Sequence, residues 1–342
     1  MQLLVTGGAG FIGSNFIRYF FEKHPDAHVL NLDKLTYAGN LDNLAAVQSL
    51  PQYAFCRGDV GDADLVAKLL GEGIDAVVHF AAETHVDRSI ADAREFIRTN
   101  VQGTHTLLEA ARRRRIARFL HVSTDEVYGS MAPGEFAGEE QPLRPRNPYA
   151  ASKAAADLLV QSYWSTHKFP AVIIRPANNY GPLQFPEKLI PLMITHALEG
   201  RKLPVYGDGL NEHDWLLVED CCAALHRVLE AGTPGEVYNL GSGQPLTNLE
   251  IIKKLLCLLD RSEDRIEFVQ DRPGHDRRYG LDTRKISREL GWRPVVPLDD
   301  GLARTVEWYT QHSAWVEKAR SGAYQTFYEK FYVHRREALA RL

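Results

Sequence analysis

An apolar, β-branched run, Gln2–Thr6, leads directly into Gly7-x-x-Gly10-x-x-Gly13, and an apolar helical pattern through Phe16, Ile17 and Phe20 follows. Strand, glycine loop and helix in that order leave few folds open. Glycines there permit a tight turn and close backbone approach, and the helix N-terminus turns its free N–H groups toward a pyrophosphate. The spacing is not the Gly-x-Gly-x-x-Gly of the simplest dinucleotide folds, so the loop needs support from elsewhere. Asp33 supplies it. This residue stands twenty positions after Gly13, at the end of the apolar run His28–Leu32. A carboxylate there accepts hydrogen bonds from ribose hydroxyls and repels a 2′-phosphate. NAD is thereby favoured over NADP, although Lys34 beside it acts against that preference.

The alternation continues down the chain. Tyr53–Arg57 reads as a strand ending at Gly58, Asp59 and Val60, and Ala63–Leu70 as a helix. Ala76–Phe80 is a strand running into Ala81, Ala82, Glu83, Thr84 and His85; Phe96–Arg114 is a long helix and Phe119–Val122 a strand. Such alternation predicts an α/β fold with a doubly wound parallel Rossmann sheet. Ligands in these sheets sit beyond the C-terminal strand ends, so Gly7–Gly13, Asp33, Asp59, Ala81–Thr84 and Thr124–Glu126 are expected to converge on one crevice. From about Asn179 the pattern changes to short strands and helices with Pro/Gly punctuation. Leu189–Leu198, Cys221–Leu229 and Leu246–Leu259 read as helices, the last with Thr247 as its N-cap. The expected division is 1–178, carrying the nucleotide site and the chemistry, and 179–342, a smaller C-terminal α/β substrate-binding domain, with chain crossovers between them.

Bulk properties narrow the function classes. A chain of 342 residues, 44% hydrophobic, can bury a large core, and its net charge of −4 provides no global basic field for nucleic acid. The basic run Arg112–Arg115 is read as the solvated end of a helix. Cys56, Cys221, Cys222 and Cys257 show neither metal-ligand spacing nor a disulfide framework, which fits free thiols in a reducing compartment. No metal is expected. No apolar run approaches the ~20 residues of a membrane span, and the N-terminus enters a strand with no basic or cleavable apolar segment ahead of it. A soluble, cytoplasmic protein is expected, with no membrane partner.

Tyr149 and Lys153 lie four apart on the apolar-periodic stretch Tyr149–Tyr163, and so share a helical face. Free tyrosine, with a pKa of about 10, is a poor base at neutral pH. A nearby lysine cation and a cationic nicotinamide favour the phenolate. It could then take a hydroxyl proton as hydride leaves the same carbon. Asp125 and Glu126, directly after Thr124, add what a plain oxidation does not require. Two carboxyl groups in different protonation states can serve as acid and base.

These residues carry a resemblance. Gly7–Gly13, Asp33, Asp59, Thr124 and Tyr149/Lys153 resemble the extended short-chain dehydrogenase/reductases acting on nucleotide sugars, over nearly the whole chain. Thr124-Asp125-Glu126 resembles the motif of the dTDP-glucose 4,6-dehydratases. Asn31–Gly39, Glu83–Ser89, Asn178–Pro182, Phe185–Pro191, Asp271–Tyr279 and Lys285–Trp292 are similar to the same subgroup.

The resemblance implies oxidation of a sugar at C4, loss of water across C5 and C6, and hydride return to C6. Tyr149 would take the C4 hydroxyl proton with Thr124 on the same oxygen, Glu126 the C5 proton, and Asp125 would protonate the departing C6 hydroxyl. NAD would be held by Gly7, Gly10, Phe11, Ile12, Gly13, Asp33, Lys34, Leu35, Thr36, Asp59, Val60, Phe80, Ala81, Ala82, Thr84, Thr99, Tyr149, Lys153 and Asn179. The nucleotide sugar, dTDP-glucose, would meet Thr84, Thr124, Asn178, Lys188, Leu189, Pro204, Tyr206, His213, Asn248, Arg272 and His275. A homodimer through Phe96–Arg114 and Tyr149–Tyr163 is also implied.

The chain departs from the family pattern at one position. The family usually has arginine before the Asp-Trp that is Asp214-Trp215 here, and this chain has His213. Histidine has fewer donors and is mostly uncharged at neutral pH, so diphosphate binding would be weaker or more pH-dependent unless another cation substitutes. A UDP sugar stays open as the substrate. The rival readings are a nucleotide-sugar 4-epimerase or decarboxylase, and a non-catalytic NAD sensor on the same fold.

Overall fold

The computed structural model describes residues 1–320 and Tyr328; the remaining part of the expected 179–342 region lies outside the described residues. Strands β1 (Gln2–Thr6), β2 (His28–Asp33), β3 (Tyr53–Arg57), β4 (Ala76–His79), β5 (Arg118–Val122) and β6 (Ala171–Pro176) form one parallel sheet with Val237–Leu240. The spatial order is Val237–Leu240, β6, β5, β4, β1, β2, β3. Both faces are covered, so the central strands are apolar runs rather than alternating ones. Leu3 and Val5 face one layer, with Phe16, Ile17 and Phe20; Leu4 and Val77 face the other, with Leu107 and Leu108. Strand order reverses at β1, where Leu3 pairs with Val29 on one side and Ala76 on the other. A crevice opens at such a switch point.

The helix after β1, Phe11–Lys23, has Gly10 as its N-cap and no side-chain cap, so its first N–H groups stay available to an anion. The helix carrying Tyr149 and Lys153 runs Pro148–His167, longer than the Tyr149–Tyr163 expectation. Asn147 caps it, with Oδ1 accepting from the Ala150 N–H at 2.8 Å, and Pro148 occupies its first turn.

The long helix expected over Phe96–Arg114 is interrupted. Arg94–Phe96 is α-helical, Ile97–Gly103 a π-helix and Thr104–Arg113 α-helical again. The wider turn holds Asn100 inward. Its Oδ1 accepts from the Glu83 N–H (2.8 Å), and its Nδ2 donates to the Glu83 carbonyl (3.0 Å) and Ser152 Oγ (2.8 Å). Tertiary bonds on one face therefore override the regular ladder.

A second core gathers Ile190, Met193, Leu203, Ile251, Leu255, Leu302 and Tyr309. Its helix Asn248–Leu258 starts with a capping box in which Thr247 and Glu250 satisfy each other's backbone N–H. The chain then crosses between cores. Val218–Ala231 packs on the Phe11–Lys23 helix, and Val237–Leu240 adds to β6 with Val237 opposite Ile173. No helix among the described residues is long and apolar enough to cross a membrane.

Candidate active site

One cleft runs along the C-terminal ends of β1, β2, β4 and β5, and its walls explain the glycines. Gly7 has φ +71°, and a Cβ on it would lie 2.6 Å from the Ala81 nitrogen. On Gly13 a Cβ would lie 2.4 Å from the Gly7 carbonyl oxygen. Only glycine allows the loop to fold against the β4 end. Both Asp33 oxygens are anchored by backbone, Oδ2 by the Ala9 N–H (2.9 Å) and Oδ1 by the Leu35 N–H (2.8 Å). Burial pushes its carboxyl up while those two N–H groups hold it down.

Lys34 turns away from Asp33 and pairs with Asp59 at 2.9 Å, where Arg98 also reaches at 3.2 Å. Burial opposes ionisation of Asp59, but the Gly61 N–H, Lys34 and Arg98 keep its carboxyl below the usual range. The lysine charge is thus engaged elsewhere than at a ribose. Gly7, Gly10, Phe11, Ile12, Gly13, Asp33, Lys34, Thr36, Asp59, Val60, Phe80, Ala81, Ala82, Thr84, Thr99 and Asn179 all line the cleft, as do Tyr149 and Lys153. Leu35 does not. It takes φ +55° and contributes its backbone N–H to Asp33.

Thr124, Asp125 and Glu126 stand where β5 ends. Thr124 caps a short 3₁₀ turn, Asp125–Tyr128, its Oγ1 accepting from the Glu126 N–H (3.3 Å) and donating to Asp125 Oδ1 (3.2 Å). Asp125 is 2% exposed, and its Oδ2 is buried with no hydrogen-bond partner among the described residues. Burial, then Glu126 and Asp214, hold its carboxyl well above the ordinary range. Glu126 is raised by burial too, but Arg272, the Asn147 amide (3.1 Å) and Lys188 draw it back. The two neighbouring acids therefore differ in proton affinity, and Asp125 keeps its proton more strongly.

Tyr149 and Lys153 lie one turn apart, as their spacing requires. The Lys153 ammonium donates to the Val122 carbonyl at 2.7 Å. Burial lowers its pKa to about 8, with Asp157 acting in the other direction. The phenolate expectation rests on Lys153 together with a cationic nicotinamide, and the protein's own surroundings raise the hydroxyl. Burial and the Glu126 charge raise the Tyr149 hydroxyl, and the Thr124 hydroxyl bonded to it is the chief opposing influence.

The cleft continues into a second chamber through Glu126, Asn178, Lys188 and Leu189. Thr84, Pro204, Tyr206, His213, Asn248, Arg272 and His275 line that chamber, whereas Thr124 faces the first. Lys188 donates to the Thr84 carbonyl (3.3 Å), and His275 Nδ1 lies 2.6 Å from Asp271 Oδ1. Arg272 stands 3.9 Å from Asp87, which also accepts from the Tyr206 hydroxyl at 3.0 Å. His213 is buried against the Tyr279, Trp215 and His275 rings. Burial, His275 and Arg272 lower its pKa to about 3, so it is neutral. Arg272 is the cation in that part of the chamber.

Several site residues escaped the sequence reading. Asn147 binds Glu126, and its position before Pro148 was a readable cap signal. Asp87 and Asp214 lie in the Glu83–Ser89 segment and the Asp214-Trp215 pair noted in the sequence, where neither was given a role. Glu187 lies in the Phe185–Pro191 segment and is buried, 3.6 Å from Arg88 and 3.9 Å from His85. All four cysteines are free.

The chain is similar to several known proteins over most of its length. The family model described as GDP-mannose 4,6 dehydratase matches residues 4–305. A dTDP-glucose 4,6-dehydratase of Streptomyces niveus is 52% identical over 94% of this chain and 96% of its own. The low-salt glycan biosynthesis protein Agl12 of Haloferax volcanii is 55% identical over 90% of this chain and 98% of its own. The crystal structure of DesIV, a dTDP-glucose 4,6-dehydratase of Streptomyces venezuelae with NAD and TYD bound, superposes with TM-score 0.91 at 51% identity. It covers 93% of this chain and 100% of that one.

Proposed function

The chain belongs to the GDP-mannose 4,6 dehydratase family, and on that premise we propose that it is an NAD-dependent lyase converting dTDP-glucose to dTDP-4-keto-6-deoxyglucose. One observation carries the choice among nucleotide-sugar reactions. Asp125 and Glu126 enter the same cleft as Tyr149, and their surroundings separate them into an acid and a base. A 4-epimerase needs neither group, and a decarboxylase releases carbon dioxide instead of water. A sensor needs no acid–base pair at all.

The cleft suits NAD. The uncapped helix start at Gly10 would hold a pyrophosphate, and Asp33, fixed by two backbone N–H groups, would offer its remaining lone pairs to a ribose. Lys34 is drawn to Asp59 instead of standing free beside Asp33 for a 2′-phosphate. When bound there, NAD supplies a hydride acceptor, and then a donor, beside Tyr149. Tyr149 would hold the phenolate with the charges of Lys153 and of the bound nicotinamide beside it.

The protein's own groups do the remaining work. Thr124 and Tyr149 hold the C4 oxygen, and the Tyr149 oxygen takes its proton as the ketone forms. A C4 ketone acidifies the C5 proton, which the Glu126 carboxylate removes. Asp125, still protonated, gives its proton to the C6 hydroxyl, which leaves as water. Glu126 returns a proton to C5. Arg272 and Lys188 hold the diphosphate, Arg272 through its planar fork of donors.

The four free thiols fit a cytoplasmic setting. A homodimer would use the helices at Arg94–Arg113 and Pro148–His167, where Ile97 (45% exposed) and Leu158 (57%) present apolar side chains to solvent. NMR of dTDP-glucose incubated with the purified protein tests the reading. A 4-keto product with a new C6 methyl is expected, and dTDP-galactose would contradict it. Turnover of UDP-glucose in preference to dTDP-glucose would move the assignment to the UDP sugar, a shift that neutral His213 at the chamber wall makes worth measuring.

A further inference from the structure

At the far end of the Phe11–Lys23 helix from the glycine loop, about 20 Å away at 1.5 Å per residue, three side chains unused by the chemistry meet. His24 is that helix's C-cap, and His226 and Glu230 lie four apart on one face of Val218–Ala231. His24 Nε2 is 2.7 Å from His226 Nε2; Glu230 Oε1 is 3.6 Å from the first and 3.4 Å from the second. Two imidazole nitrogens and a carboxylate oxygen thus point at one spot. The rings are held from behind, His24 against Phe20 at 4.9 Å and His226 against the edge of Tyr19 at 5.8 Å between centroids.

We propose that His24, His226 and Glu230 form a site for a first-row divalent transition ion of the zinc type. Bonds of about 2.0–2.2 Å in a tetrahedral shell place ligand atoms about 3.4 Å apart. The nitrogen–oxygen separations, 3.6 and 3.4 Å, are close to that value. The nitrogen–nitrogen separation must open from 2.7 Å by about 0.7 Å, within reach of a small side-chain rotation. Without an ion, the imidazole contact needs one ring to donate and the other to accept. With an ion, both rings present a lone pair and the carboxylate supplies charge. Two histidines and one carboxylate suit zinc and its neighbours rather than calcium or magnesium. His24 and Glu230 are partly exposed, which leaves an entry path and room for water as a fourth ligand.

The ion would act as a clip. It would join the helix that begins at the glycine loop to the helix that follows Trp215–Leu217, beside His213 in the second chamber. Both helices pack in the same core, so the ion would fasten that helix pair against the sheet. The test uses full-length, tag-free protein treated with chelator, dialysed and titrated with zinc sulfate by calorimetry, with thermal unfolding in parallel. One equivalent should bind and raise Tm. In His24→Gln and Glu230→Gln the affinity should fall at least tenfold and the zinc-dependent rise in Tm should disappear. Cobalt(II) in place of zinc should give the visible absorption of a four-coordinate ion. Absence of zinc uptake, or uptake at unchanged affinity in both variants, would overturn the proposal.

Discussion

Asp125 and Glu126 are adjacent in the chain, yet residues distant in sequence separate their proton affinities. Both lie above the ordinary carboxylate range, Asp125 the further. The proposed cycle needs Glu126 ionised and Asp125 protonated, so kcat should be bell-shaped in pH. It falls in acid as Glu126 gains a proton and in alkali as Asp125 loses one. Arg272 is the strongest influence drawing Glu126 down. Arg272→Gln should therefore shift the acid limb to higher pH at saturating substrate, and a stationary limb would argue against Glu126 as the base. Asp125→Asn and Glu126→Gln should each lower kcat by about 10²–10⁴. His213→Arg should tighten dTDP binding by about tenfold in calorimetry, the scale of one charge-assisted hydrogen bond; unchanged or weaker binding would show that Arg272 already fills the role. The Thr124-Asp125-Glu126 motif was legible in the sequence as an acid–base pair. The resemblance also implied Asp125 as the acid and Glu126 as the base, but the physical cause of that order was not legible, because Arg272, Lys188 and Asp214 act from other elements.

At the scale of elements, loops and caps position the chemistry. Asn147 both starts the Pro148–His167 helix and holds Glu126. Asn147→Ala should cost about 1 kcal/mol of stability and reduce kcat as well, read by thermal unfolding and steady-state rates. A loss of stability alone would leave Asn147 as a cap and nothing more. Gly13→Ala would press a Cβ onto the Gly7 carbonyl, so the purified variant should carry little NAD. The strand, glycine loop and helix were readable because each is specified locally by apolar period and backbone freedom. The π-helix Ile97–Gly103 was not, since Asn100 is turned inward by Glu83 and Ser152, contacts that no local pattern announces.

At the scale of the whole molecule, the parallel sheet followed from alternating strands and helices. Its seventh strand, Val237–Leu240, is too short to be distinguished by period and is placed by pairing with β6. The proposed dimer would bury Ile97 and Leu158, so Leu158→Glu should yield monomers in sedimentation; a wild-type monomer would remove the dimer from the account. The central claim is that one cleft oxidises C4, expels water and returns the same hydride to C6. dTDP-glucose deuterated at C4, incubated with the purified protein and no added cofactor and followed by NMR, tests it most directly. Deuterium at C6 of a 4-keto product is predicted, whereas deuterium retained at C4 of a galactose product would contradict it.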